Sequence, residues 1–404
     1  MAAVALTVLF LIAGAGKARV VDRAAVLAAR GELAVAGQLL EPLVASSNPG
    51  ALFVRACIAL EESNLAAASR FAEQLASSRS GAPEVVVLAR LIEERKRAPE
   101  DRWTDVAARA WSASGRPMRA TKQLLGAIDV QRPIDPTAIA HVQGRGDRLL
   151  LEFGGAPAGS AGLIEAAFAE ADGVERSLGV HLVAMHVLLH EKMPEKKRTR
   201  ARSAALDLLD AMARSHPDDG YLASGAVLLR AGAQAPLTVA DLASLEEALE
   251  RNSFALPVRP LFDAFRAAYA QVDPGQAHSR AFSETARALP LDIHVVLSQR
   301  VAATSDSALR DRAAAVLAVA GSRLEAGATL LERMIGLSLQ MKGARLRGDA
   351  EAIEVVGKKR ARLTGLMANG NAFWSYQWPI ASLWRDHFVR NTTDEVGYYE
   401  LLSR

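Results

Sequence analysis

The sequence predicts an all-α fold in which helical hairpins repeat along the chain and form an α-solenoid. Half of the 404 residues are apolar and only 5% are aromatic. Ala and Leu, the strongest helix formers, predominate over the β-branched and aromatic residues that strands prefer. Apolar residues also recur at helical spacings, as Leu33, Leu39 and Leu43 do. Because 404 residues exceed one ordinary hydrophobic core, we expect two or three domains or one extended repeat array.

Charge and cysteine content narrow the classes of function. The formal net charge is +3, which is too small an excess for a general nucleic-acid-binding surface, so we expect no nucleic-acid partner. The single cysteine, Cys57, lies in the apolar run ALFVRACIAL. It has no second cysteine with which to form a disulfide, and we interpret it as a small buried apolar residue.

Turn signals divide the first part of the chain at a regular interval. Pro49, Pro83 and Pro117 are each 34 residues apart, in the turn sequences SSNPG, SRSGAP and SGRP. A helical hairpin that ends in proline at this period resembles the tetratricopeptide repeat. In RGELAVAGQLLEPL and SNLAAASRFAEQL a Gly or Ser turn precedes small residues and then Leu or Phe, as the close crossing of two helices requires. The resemblance covers residues 24–117, but the family's Trp, Leu-Gly and Tyr positions are absent, and a generic α-solenoid is the alternative.

The remainder of the chain predicts a second helical segment followed by a distinct C-terminal end. Residues 118–162 are rich in Pro and Gly, so we expect irregular structure there, with LLLEF as a short strand or a helix end and a boundary near residue 155. We therefore predict four segments: a membrane anchor or signal (1–21), a tetratricopeptide-like segment with an irregular end (22–155), a second helical-repeat segment (156–366) and a Trp-rich capping or interaction segment (367–404).

Within the second segment, local signals predict individual helices. HPDDG is typical of a turn between two helices, with an Asp that caps the helix after it. The stretch GSRLEAGATLLERMIGLSLQMKGARL predicts one long helix whose glycines allow close packing. Other helices are predicted at about 238–250, 258–270, 276–288 and 307–320.

The first sixteen residues carry no charged side chain. As a helix they reach about 24 Å, which is shorter than a hydrocarbon core of about 30 Å, although continuing to Val21 restores the length. Three interpretations stay open: a retained membrane anchor, a signal peptide cleaved beside Ala15, or an ordinary buried helix. The first interpretation places these side chains in the membrane: Leu6, Val8, Leu9, Phe10, Leu11 and Ile12. The Ala- and Arg-rich composition indicates a bacterial protein, so we predict the inner membrane, or the periplasm if the segment is cleaved.

A histidine pair is the main candidate for chemistry. In HLVAMHVLLHE, His186 and His190 are four residues apart and therefore share one helical face, which is a spacing that can bind zinc. A zincin needs Glu directly after the first His, and Val187 occupies that position. The alternative to a metal site is a pair of imidazoles lining an inter-helix groove. We expect no tightly bound zinc, no cofactor and no catalytic residue.

The strongest local anomaly is FWSYQWPIASLWRDHF, residues 373–388, which holds three of the five tryptophans. Two interpretations lead: a cap over the last hydrophobic layer of a repeat array, or a partner-binding site in which Trp374, Trp378, Trp384 and Arg385 are the anchors. Contact with a membrane interface is a third. We expect Trp374 and Trp378 to be the more buried pair and Trp384 the more exposed residue.

Together these patterns favour a noncatalytic scaffold or protein-interaction module of a bacterial cell envelope. Its expected partner is another protein or a peptide, because stacked hairpins present an extended concave surface. The rival hypothesis is a metal-dependent hydrolase centred on His186 and His190.

Overall fold

A computed structural model describes residues 18–117, 124–125, 134–155, 161–172, 177–232, 234–374 and 378–404. Every regular element in these ranges is a helix, and the only strand-like feature there is an isolated bridge between Asp219 and Ser253. The predicted all-α class is confirmed.

The helices follow one another with short connections. Those before residue 118 are α1 (18–29), α2 (Leu33–Ala45), α3 (Pro49–Glu61), α4 (Leu65–Arg79), α5 (Pro83–Arg97) and α6 (Trp103–Ala113). The next are α7 (Pro136–Ala140), α8 (Arg145–Gly155), α9 (Ala161–Ala171), α10 (Leu178–His190), α11 (Glu195–Ser215), α12 (Gly220–Ala231), α13 (Val239–Glu250), α14 (Val258–Val272), α15 (Ala277–Ala288) and α16 (Asp292–Ala303). The last are α17 (Ser307–Glu325), α18 (Leu330–Arg347), α19 (Ala350–Trp374), α20 (Ala381–Thr393) and α21 (Glu395–Ser403).

The chain divides into two compact units. Unit 1 comprises the residues up to 132 together with 365–391 and 396–404, and unit 2 comprises 133–364 and 392–395. The boundary expected near residue 155 falls between α8 and α9, inside unit 2, and the change of unit comes near residue 132. The Trp-rich segment is not set apart either, because residues 367–391 and 396–404 share unit 1 with the N-terminal helices.

In unit 1, successive helices pack in pairs: α2 on α3, α3 on α4, α4 on α5 and α5 on α6. Two asparagines in the turns between these helices cap the helices that follow them. The Asn48 side chain accepts from the Ala51 amide (3.1 Å) and the Asn64 side chain accepts from the Ala67 amide (3.0 Å), so both asparagines cap helices. The buried residues of α3 are apolar, and Cys57 is fully buried among them, as predicted.

The C-terminal helices complete unit 1 through polar contacts with its first helices. The Glu61 carboxylate accepts from the Ser382 amide (3.0 Å) and from the Ser382 hydroxyl (2.7 Å). The Trp103 amide at the start of α6 donates to Asp386 (2.7 Å). Arg390 forms an ion pair with Asp105. Unit 1 is therefore built from two stretches of the sequence, one before and one after most of the residues of unit 2.

Unit 2 also pairs consecutive helices, with α10 in contact with α8, α9, α11, α14 and α15. The predicted cap after HPDDG is confirmed, since the Asp219 side chain accepts from the Leu222 amide (3.0 Å) at the start of α12. LLLEF lies inside helix α8.

The single long helix expected between α16 and α19 is wrong. Residues 326–329 separate α17 from α18, and Thr329 begins α18 with a capping box to Glu332. The two helices fold back on each other as a hairpin, which requires glycine, since a Cβ on Gly321 would lie 2.6 Å from the Gly336 carbonyl oxygen.

The apolar N-terminal segment lies outside the described residues, and so do its predicted membrane residues Leu6, Val8, Leu9, Phe10, Leu11 and Ile12. Among the helices that are described, none combines the length and the hydropathy needed to cross a bilayer. Val21, at the predicted end of the segment, lies on α1 and is buried, with a methyl group 3.0 Å from the position of a Cβ on Gly50. Val21, which we predicted to end the anchor or signal segment, is therefore part of the packed interior of unit 1.

Candidate functional site

The predicted partner-binding residues lie in a C-terminal aromatic cluster of unit 1. The cluster is formed by the last turn of α19, by the residues directly before α20, by α20 itself and by α21. Its members are Phe373, Trp374, Trp378, Trp384, His387, Phe388, Tyr398 and Tyr399.

Trp378 forms the inner part of this cluster. Its side chain is 1% exposed and packs against Phe53 of α3 (ring centres 5.7 Å apart) and Phe373 (6.5 Å). Its carbonyl oxygen accepts from the Trp384 indole N–H (2.7 Å). Trp378 is therefore part of the hydrophobic core of unit 1, and its indole face is not available to another molecule.

Trp374 and Trp384 form the outer part of the cluster. Both are half-buried, and their ring centres lie 4.9 Å apart. Trp384 also stacks on Phe388 (5.7 Å). Arg385 beside them is exposed and donates to the Ser382 hydroxyl (2.6 Å). The structure thus brings the predicted residues together, with one of them buried and the others at the surface.

His387 is a buried member of the cluster that the sequence analysis did not identify. Its ring centre lies 3.7 Å from that of Trp374, and its carbonyl oxygen accepts from the Asn391 amide group (2.8 Å). Burial lowers the pKa of His387 to about 3, so the imidazole is neutral at physiological pH. The sequence did contain a signal for this contact. His387 comes three residues after Trp384 and four before Asn391, so the three side chains share one face of a helix.

The histidine pair lies on α10 in unit 2. The ring centres of His186 and His190 are 4.7 Å apart, as four-residue spacing predicts. His186 is half-buried with its ring at 5.5 Å from that of Phe153 of α8, whereas His190 is exposed. His186 therefore lies between α10 and α8, as expected for a histidine in an inter-helix groove, whereas His190 lies at the surface.

Asp292 joins the pair from 102 residues further along the chain. Its Oδ2 lies 2.8 Å from His190 Nε2. This hydrogen bond raises the pKa of His190 and lowers the pKa of Asp292. Burial, reinforced by His190, lowers the pKa of His186 to about 4. Asp292 begins α16, a helix that the periodicity did not predict, and no sequence signal connected it with α10.

The chemistry open to this arrangement is limited. A carboxylate that orients an imidazole keeps one ring nitrogen as an acceptor, but it supplies no nucleophile. In the part of the chain that the structure describes, no group of three or more His, Cys, Asp or Glu side chains is arranged to hold a metal ion. A structural zinc site has four ligands and a catalytic one has three, so the pair falls short of either.

Comparisons with known proteins give no assignment: no family model, no curated protein and no solved structure matches the chain. The scaffold and hydrolase hypotheses must therefore be compared on the C-terminal aromatic cluster and on the pair of His186 and His190.

Proposed function

We propose that this protein is a noncatalytic helical-repeat scaffold of a bacterial cell envelope that binds another protein or a peptide. The observation that carries the proposal is the outer part of the C-terminal aromatic cluster. There the half-buried Trp374 and Trp384 lie beside the exposed Arg385. Trp and Arg are the residue types most often found at binding hot spots.

The rigidity of this surface supports the proposal. Trp384 is fixed by its hydrogen bond to the Trp378 carbonyl group and by its stack on Phe388. An anchor that is already ordered loses little conformational entropy when a partner binds. The buried Trp378 and His387 hold this outer part in place without contacting the partner themselves.

The succession of helical hairpins supports the same class of function. Helices pack mainly on their neighbours in sequence, as in repeat proteins, which use extended surfaces to bind other chains. We propose that these hairpins form a tetratricopeptide-like or generic solenoid surface. The rival hydrolase needs at least three metal ligands, which the described residues around His186 and His190 do not supply.

A photo-crosslinking amino acid at position 385 tests the binding surface. We expect the full chain to form a covalent adduct with one discrete protein in the native cell envelope. A probe at Arg97, which is also an exposed arginine of unit 1, is the matched control and should give no such adduct. Because rim charges at hot spots are sensitive to reversal, Arg385→Glu should weaken binding of the captured protein by about tenfold or more.

Two results would contradict the proposed site. One is the absence of an adduct at position 385 while other exposed positions of the chain crosslink efficiently. The other is equal affinity of the captured protein for the native chain and for Arg385→Glu, with both shown to be folded by circular dichroism.

Cell fractionation tests the proposed envelope location. We expect the full chain to sediment with membranes, or its mature form to begin near Gly16. Deleting residues 1–17 should release a folded, soluble body, because this deletion leaves α1 and the buried Val21 intact. An unprocessed full-length chain found entirely in the soluble fraction would overturn the location.

A further inference from the structure

We propose that His186 and His190 together bind one divalent transition metal ion through their imidazole rings, with Cu²⁺ as the strongest ligand. The site would be bidentate and exchangeable, unlike a structural or catalytic zinc centre. It is independent of the scaffold function, since it lies in unit 2 while the proposed partner site lies in unit 1.

The separation of the two rings fits a shared metal ion. A metal–nitrogen bond of about 2.1 Å places an ion roughly 3.2 Å from each imidazole centre. Two rings bound at adjacent positions, roughly 90–110° apart, then have centres about 4.5–5.2 Å apart. The observed separation is 4.7 Å. The separation of the ring centres is therefore compatible with a chelate formed by two side chains of one helix.

The ring nitrogens are suited to donate to a metal. In the neutral tautomer that carries its proton on Nε2, His190 donates a hydrogen bond to the Asp292 carboxylate (2.8 Å) and Nδ1 keeps its lone pair. A carboxylate behind a histidine is the usual way in which proteins orient a metal-binding imidazole. His186 forms no hydrogen bond with any residue in the described part of the chain, so coordination of an ion breaks no bond there.

The site is open to solvent on one side. His190 is exposed and lines a cavity of about 440 Å³ together with Leu188, Lys192 and Arg198. Lys192 and Arg198 in the cavity wall oppose a cation, and so does Arg287, whose positive charge acts on His186. The charge of Arg287 is largely balanced within unit 2, because its guanidinium pairs with Glu284 (3.2 Å) and donates to the Phe153 carbonyl oxygen. Water would complete the coordination shell.

The choice of metal follows from ligand type and number. Imidazole suits copper, nickel and zinc, and affinity for a given nitrogen site rises from nickel to Cu²⁺ and falls again at zinc. With two protein ligands we expect binding in the micromolar range for Cu²⁺ and weaker binding of Zn²⁺, which agrees with the expectation that no zinc is bound tightly.

Titration of the full chain with Cu²⁺ alone tests the proposal. We expect about one equivalent to bind, with an electron paramagnetic resonance spectrum that shows two nitrogen ligands. His186→Gln and His190→Gln should each weaken this binding at least tenfold and remove one nitrogen from the spectrum. His141→Gln, which changes an exposed histidine of the same unit, is the matched control and should bind as the native chain does.

The proposal is overturned if the native chain binds no Cu²⁺ in the micromolar range, or if both α10 variants keep the affinity and spectrum of the native chain. Circular dichroism and thermal melting must show that each variant is folded. If His186→Gln is not folded, His190→Gln decides the question, because His190 is exposed and its loss leaves the interior of unit 2 intact.

Discussion

Trp378→Ala is expected to lower the free energy of unfolding of unit 1 by about 3–5 kcal/mol, the usual effect of removing a fully buried tryptophan. The side chain is 1% exposed and fills the space between Phe53 on α3 and Phe373 on α19. Its removal leaves a cavity lined by rings that cannot collapse freely, because each is fixed on a different helix. Of the cluster's tryptophans, Trp378 should be the most sensitive to truncation.

Chemical denaturation and hydrogen exchange measure this effect. Because a chain with two compact units need not unfold in one step, the exchange of the α3 amides provides a local reading for unit 1. Trp384→Ala is the matched control within the same cluster. Since Trp384 is half-buried, its truncation should cost roughly 1–2 kcal/mol, which is less than the effect at Trp378.

The same pair of variants separates the capping and the partner-binding interpretations. If the outer part binds a partner, Trp384→Ala should keep unit 1 folded and weaken binding by about 2 kcal/mol or more. If Trp384→Ala unfolds unit 1 as severely as Trp378→Ala, the segment acts only as a cap, and the partner site should be sought elsewhere.

The local features of the fold could be predicted because their causes are local in sequence. Asn48 and Pro49 lie together at the start of α3, and a cap and a first-turn proline need no distant residue. The same holds for Asp219 at α12. The break between α17 and α18 was also predictable: Thr329 and Glu332 have the spacing of a capping box, a signal that the periodic apolar pattern on both sides obscured.

The long-range features could not be predicted in the same way. Composition marked residues 373–388 as unusual, but nothing in the sequence indicated that Asp386 would accept from the Trp103 amide or that Arg390 would pair with Asp105. The histidine pair shows the same division. Four-residue spacing places His186 and His190 together on any helix, whereas the Asp292 carboxylate reaches them only through the packing of unit 2.

Glu395→Gln is expected to stabilise unit 2 at pH 8 and to have little effect at pH 5. The Glu395 side chain is half-buried, and its Oε2 accepts from the Leu330 amide (2.7 Å) at the first position of α18. Burial raises the pKa of Glu395 to about 7; the Leu330 amide opposes this shift and the charge of Glu332 adds to it. The Glu332 carboxylate is already held by the Thr329 and Leu256 amides (3.0 and 2.9 Å).

The direction of the pH dependence follows from proton binding. Between the ordinary glutamate pKa of 4.5 and the folded value of about 7, the folded chain holds a proton that the unfolded chain has released. The stability of unit 2 should therefore fall as the pH rises through this window. At about 1.4 kcal/mol for each pKa unit, the ionised Glu395 costs up to about 3 kcal/mol above pH 7. A glutamine cannot ionise, and its amide oxygen can still accept from the Leu330 amide.

Urea denaturation at pH 5 and pH 8, with hydrogen exchange of the α18 amides as the local reading for unit 2, measures this difference. The Gln variant should exceed the native chain by about 2–3 kcal/mol at pH 8 and by less than about 1 kcal/mol at pH 5. Glu247→Gln, at an exposed position of α13 in the same unit, should shift neither value by more than about 0.5 kcal/mol. A variant that is less stable than the native chain at pH 8 would show that the ionised Glu395 stabilises α18 through the Leu330 amide. The burial of this carboxylate would then be compensated by its position at the N-terminus of a helix.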